Sequence, residues 1–220
     1  MENRQMSDSL IIGIFLAVIG GFLDAYTYLC RGQVFANAQT GNIVLLGIHF
    51  MEGHFNRVLY YLLPVIAFVL GILLAEKIRK YYWHHSKIHW RQIILVVELI
   101  VLMIVMFIPT HMMDMVCNVL ISFVCSLQVQ SFRKFQGYSY ASTMCTGNLR
   151  SATEYLFKYN QSKEKEKLYV SLKYYMIIFF FIVGAGLGTI FTNWIQSYAL
   201  IFCEVILLLV ILILNKKQEV

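Results

Sequence analysis

Three carboxylates stand inside long apolar runs of this chain: Asp24, Glu98 and Glu204. A charged side chain at the bilayer centre costs at least about 2.5–3.5 kcal/mol, so such residues face a bundle interior and mark ion, proton or solute paths by default. Coupling or gating is the expected role. The structural alternative is a protonated carboxyl that clasps a neighbouring helix. Two copies of one tripeptide, Thr40-Gly41-Asn42 and Thr146-Gly147-Asn148, offer a second chemistry. Thr and Asn cap free N–H groups where a helix begins, and Gly lets the backbone turn and a partner approach. A helix N-terminus also favours an anion or an electronegative atom. These six residues are expected to bind a solute, the alternative being that they only satisfy backbone groups stranded in lipid. Gln128 takes the place of Asp24 in the second half of the chain and is expected to line the same cavity.

The elements that must position these residues are membrane helices. The chain has 220 residues, 59% hydrophobic and only 14% charged, with a mean hydropathy of +0.67. A soluble domain is about 45–50% apolar and about 25% charged. The net charge of +6 does not point to nucleic acid, because the basic residues sit in short loops between apolar stretches. A span needs about 20 apolar residues, and six segments qualify: 10–30, 58–75, 92–109, 113–132, 174–192 and 196–214. Two shorter stretches, 41–50 and 147–159, would reach only half to two-thirds of the way across.

Loop charge sets the path. Lys77, Arg79, Lys80, Lys87 and Arg91 form one basic cluster, and Lys158, Lys163, Lys165, Lys167 and Lys173 form another. Both clusters are cytoplasmic only if the two short helices dip in and return to the same side, which puts both termini in the cytoplasm. The expected fold is therefore an all-α membrane protein, a single transmembrane domain over 1–220, with six transmembrane helices and two re-entrant half-helices.

The halves match. Gly32-Gln33-Val34-Phe35-Ala36 precedes the first tripeptide and Gly137-Tyr138-Ser139-Tyr140-Ala141 the second. Tyr60-Tyr61 has its counterpart in Tyr174-Tyr175, and the small pair Gly71 and Ala75 in Gly184 and Gly188. Asn42 and Asn148 are as far apart along the chain as Glu98 and Glu204. Three spans plus one re-entrant helix per unit make two inverted-topology repeats, about 9–110 and about 113–215, and broken helices at matching positions point to a midplane binding site.

The remaining candidates are weaker. Arg150 and Glu154, four apart, are expected to pair with each other. His84, His85 and His89 lie beside Trp83 and Trp90 without a third strong ligand, so no metal is expected, and the tryptophans read as interface markers. Cys30, Cys117, Cys125, Cys145 and Cys203 read as small packing residues. Without a nucleophile–base motif or phosphate loop, neither enzymatic activity nor a cofactor is expected.

The stretch GGFLDAYTYLCRGQVFANAQTGNIVLLG, with the later MCTGNL, resembles the YoaK family of bacterial integral membrane proteins over nearly the whole chain. That resemblance implies a multi-pass protein of the bacterial inner membrane and assigns no activity. Extended segments feeding two opposed half-helices are also similar to the core of sulfate-permease and uracil-type transporters, at the level of fold alone. The expected function is a small secondary transporter or channel for a small polar or anionic solute. A non-transporting membrane scaffold or assembly factor is the alternative, and an intramembrane enzyme ranks last. The bilayer and the solute are the expected partners, with a homodimer left open.

Overall fold

The computed structural model describes residues 8–82 and 89–215. Among these, eight α-helices follow one another: α1 (Leu10–Cys30), α2 (Gln39–Met51), α3 (Phe55–Tyr82), α4 (Trp90–Met106), α5 (Asp114–Ser131), α6 (Cys145–Ser162), α7 (Lys165–Ile195) and α8 (Ile201–Asn215). A 3₁₀ turn, Gln196–Leu200, joins α7 to α8. Between α5 and α6 lies a two-strand hairpin, Lys134–Phe135 with Tyr138–Ser139, absent from the all-α expectation. It closes through Gln136 and Gly137, both at positive φ, as a tight hairpin turn requires.

Among the described residues, four helical stretches are long and apolar enough to cross a membrane: Leu10–Cys30, Phe55–Tyr82, Asp114–Ser131 and Lys165–Asn215, the last holding both α7 and α8. The first matches the expected span residue for residue. The fifth and sixth expected spans fall in the last stretch, and α4 is 17 residues long. The short helices differ from each other. α2 has 13 residues, whereas α6 has 18, about 27 Å of helix, so length does not mark it as a half-helix. Its charged side chains, among them Arg150, Glu154 and Lys158, keep it from being an apolar span.

Hydrogen bonds and ion pairs gather the helix ends into two groups. At one end Arg91 meets Asp8 at 3.2 Å and the Ser131 carbonyl at 2.8 Å, Arg133 meets Glu76, and Gln92 meets Asn215. Lys173 donates to Gln136 at the same end, and Gln136 donates its backbone N–H to the Asp8 carbonyl. At the other end Arg31, Tyr60, Asn118 and the carbonyls that follow α4 come together, and Thr110 reaches Gln196 at 3.1 Å. α8 therefore returns antiparallel to α7, beside α4.

Helix partners are chosen by missing side chains. α1 packs on α7, and α3 on α5. A Cβ at Gly184 would stand 2.1 Å from the Val18 carbonyl oxygen, and one at Gly21 would stand 2.0 Å from that of Phe181. A Cβ at Gly71 would stand 1.8 Å from Ser126 Oγ and 2.5 Å from the Phe123 carbonyl oxygen. Close backbone approach of this kind replaces the hydrophobic drive that lipid cannot supply between helices.

His89 is the N-cap of α4: its Nδ1 accepts the Arg91 N–H at 3.3 Å, and Gln92 bonds back to the His89 N–H. Burial, reinforced by the Arg91 charge, holds this imidazole below its ordinary pKa, which keeps the ring nitrogen free to accept. Trp90 is buried among the core side chains, with the Arg91 guanidinium 5.2 Å from its ring centre. Trp83, His84, His85 and Lys87 lie outside the described residues.

Candidate functional site

The tripeptides occupy the first turns of α2 and α6, and they do not cap them. Neither Ala38 nor Met144, the residues preceding these helices, makes a side-chain cap bond. The asparagines instead reach backward along the chain. Asn42 Oδ1 accepts the Phe35 N–H at 3.3 Å while its Nδ2 donates to the Phe35 carbonyl at 2.7 Å. Asn148 does the same with Ala141, at 3.3 and 2.7 Å. An amide carries both a donor and an acceptor, so it substitutes for a neighbouring β-strand and holds an extended segment against the helix start. This corrects the capping expectation. Both side chains are buried.

Asp24 supplies what the threonines were expected to supply. Its Oδ1 accepts the Asn37 N–H at 2.8 Å, and the N–H groups of Ala36 and Ala38 also face the carboxyl. A carboxylate thus sits on the backbone donors that lead into α2, where negative charge is favoured. The second half lacks this device. Gln128 turns away, donating its Nε2 to the Leu16 carbonyl at 3.2 Å, and among the described residues no carboxylate caps the start of α6.

A cavity of ≈ 890 Å³ lies between the starts of α2 and α6. Asp24, Thr40, Thr146, Gly147 and Asn148 line it; Gly41, Asn42, Gln128, Glu98 and Glu204 do not. Gly41 lies against the Phe35 ring, and Asn42 is enclosed by the loop it holds. Residues singled out only by the structure complete the wall, among them Asn37, Gln39, Thr143 and Ser151, with Tyr28 and Phe35 stacked 4.9 Å apart on one side. Among the described residues, no Lys, Arg or His lines it.

Glu98 and Glu204 sit where α4 packs on α8, near each other and away from the cavity. Among the described residues, neither carboxyl has a hydrogen-bond partner. A clasp between helices needs such a bond, and the geometry does not supply one. Arg150 does not pair with Glu154 as expected; Lys158 does, at 2.6 Å, and an acid one turn N-terminal to its base is the favoured orientation on a helix, which Glu154 has toward Lys158 and not toward Arg150.

Two further features escaped sequence reading. The Arg31 guanidinium is fully buried and donates to Tyr26 Oη, to the carbonyls of Val105, Ile108 and Pro109, and to Asp114. After α2, the Glu52 carboxylate lies 3.2 Å from both His49 and His54 Nδ1, a group of three potential metal donors on the surface. Proximity of His and Glu in the sequence was the available signal.

Apolar helices of membrane-crossing length around a partly polar cavity define a multi-pass α-helical membrane protein. A family model described as "Protein of unknown function (DUF1275)" matches residues 12–213, and the chain belongs to that family. It is similar to the UPF0700 transmembrane protein YoaK of Bacillus subtilis (strain 168), with 28% identity over 146 residues, 63% of this chain and 63% of the relative. The match thus spans somewhat less than two thirds of that relative's length. No solved structure matches this chain.

Proposed function

We propose that this protein is a small transporter or channel for a polar solute, built from two inverted repeats of three spans and one re-entrant helix. The observation that carries the reading is the single cavity into which the starts of both α2 and α6 project, lined by residues of both tripeptides. Broken helices that meet at a cavity are the pattern of solute sites at a repeat interface. The matched asparagine bonds, and the exchange by which α1 packs on α7 as α5 packs on α3, support the repeat. In this reading α4 and α8 meet near the pseudo-two-fold axis with Glu98 and Glu204 between them, as coupling or gating acids, and Asp24 shapes the site itself.

The function is tested by solute flux in proteoliposomes across a pH series. Protein-dependent, saturable flux is expected, with Glu98→Gln and Glu204→Gln shifting its pH dependence while leaving solute binding intact. Absence of flux for any small polar solute would favour a non-transporting scaffold. That reading draws on the asparagines, whose amides are consumed by the fold.

The orientation we infer has both termini, Lys80 and Lys163 in the cytoplasm and His111 and Asn193 outside, from the excess of basic residues at one end. Single cysteines at 163 and 193 in intact cells should be respectively protected from and open to an impermeant maleimide. Labelling at 163 would sink the inverted-repeat topology.

A further inference from the structure

The turn that returns α2 to α3 brings three side chains of metal-ligating type together. α2 ends at Met51 with Glu52 as its C-cap, and Gly53 follows at φ +75°. The His54 N–H donates to the His49 carbonyl at 2.9 Å, and the Gly53 N–H to the Phe50 carbonyl at 3.2 Å. These two bonds make the Schellman ending, in which the residue after the glycine folds back over the last turn of the helix. The two positions so joined ordinarily share a hydrophobic contact. Here both are histidines. The His49 ring is held in turn by stacking on Tyr61, 5.6 Å between centres and 9° between planes, and Tyr61 is buried. The Glu52 carboxylate bridges the pair, its Oε2 3.2 Å from each Nδ1.

We propose that His49, Glu52 and His54 bind a first-row transition-metal dication of the zinc type. The site lies apart from the cavity and does not rest on the transport reading. Zinc with bonds of about 2.0–2.1 Å sets tetrahedral donor atoms about 3.3–3.4 Å apart. The two Glu52–histidine distances already stand close to that value, at 3.2 Å. One donor atom from each residue lies within 4.8 Å of the others, and the His54 side chain, 63% exposed, has room to close the remaining edge. Each imidazole needs only to carry its proton on Nε2 for Nδ1 to ligate, so binding requires no change in ring charge. Two imidazoles with one carboxylate suit zinc, nickel, cobalt or copper, whereas magnesium and calcium take oxygen ligands. Three protein ligands leave a fourth position, and both histidines line a cleft of ≈ 710 Å³ with Gly53, Phe55, Asn56 and Arg57 that has room for it. The Arg57 charge on that cleft favours an anion, hydroxide or chloride, as the fourth ligand. A bound ion fastens the end of α2 to the start of α3.

The test is a Zn2+ titration of the full-length protein, carrying no histidine tag, in phosphatidylcholine nanodiscs. Calorimetry gives stoichiometry and affinity, and Co2+ absorption reports tetrahedral coordination. One Zn2+ per chain should bind, and a large excess of Mg2+ should not displace it. His49→Ala, His54→Ala and Glu52→Gln should each weaken binding at least about tenfold, since loss of even an outer partner of a metal ligand costs that much. Zn2+ should raise the unfolding midpoint of the parent and leave that of His54→Ala where it is. Without metal the His54→Ala midpoint should match the parent's, because the ring it removes is mostly exposed, and this separates lost ligation from lost folding. His84→Ala with His85→Ala, in the other histidine-rich loop, should bind as the parent does. The inference is overturned by a lack of stoichiometric Zn2+ binding, by binding that the three substitutions leave unchanged, by binding lost with His84 and His85, or by displacement by Mg2+.

Discussion

Replacing Arg31 with methionine should destabilise the protein by about 3–5 kcal/mol, the cost of removing one partner from a buried, hydrogen-bonded charge network. The guanidinium ties the segment after α1 to the end of α4, meeting the Ile108 carbonyl at 2.6 Å and the Pro109 carbonyl at 2.8 Å. Both carbonyls lie just past the end of α4, where no helix turn follows to bond them. Its contact with Asp114 at 3.3 Å adds the start of α5, and Tyr26 Oη accepts from both Nε and Nη2. Methionine fills much of the volume and serves none of these acceptors. Lysine keeps the charge but, with a single ammonium, cannot address Tyr26, three carbonyls and a carboxylate together, so it should recover only part of the loss. Equilibrium unfolding in mixed micelles, followed by tryptophan fluorescence, measures both variants. An unchanged midpoint for the methionine variant would mean that Arg31 does not hold this end of the bundle.

Replacing Asn148 with leucine should cost about 2–6 kcal/mol, since it strips partners from two backbone groups of Ala141 at about 1–3 kcal/mol each. Asn42→Leu should cost at least as much, because Asn42 Nδ2 also donates to Gln39 at 3.0 Å. Aspartate is the informative control. It keeps an acceptor for the N–H but sets a carboxylate against the carbonyl, so Asn148→Asp should recover little of the loss. Thr40→Val and Thr146→Val, in the same tripeptides but exposed, should change stability by less than about 0.5 kcal/mol. The same unfolding titration orders the set. If the leucine variants unfold like the parent, the asparagines do not hold the extended segments and belong to the ligand site after all.

Much of the fold is legible locally. Residues 10–30 read as a helix of membrane length because an apolar run of that size has no other stable place for its backbone. The start of α2 near Thr40-Gly41-Asn42, and of α6 near Thr146-Gly147-Asn148, follows from the change in composition at each tripeptide. The role of the asparagines was not legible. Nothing in the tripeptide distinguishes an amide that caps its own helix from one that grips the backbone seven residues earlier; both use the same atoms at similar range.

What the sequence by itself determined is the membrane class, the family, the positions of most helices and the residues whose polarity is costly in lipid. Hydropathy and local hydrogen-bonding capacity are properties of short segments, so they survive without knowledge of the partner. Only the tertiary structure decided which of those polar residues share a cavity. Helices that are apolar nearly all round do not name the face they bury, and α1 finds α7 through the backbone approach that Gly21 and Gly184 allow. That pairing, with α5 set against α3, puts Asp24 and Thr143 on one wall, leaves Glu98 and Glu204 between α4 and α8, and turns Gln128 toward Leu16. Side chains of one chemical kind are thereby sorted into different surroundings by contacts between residues far apart in the chain.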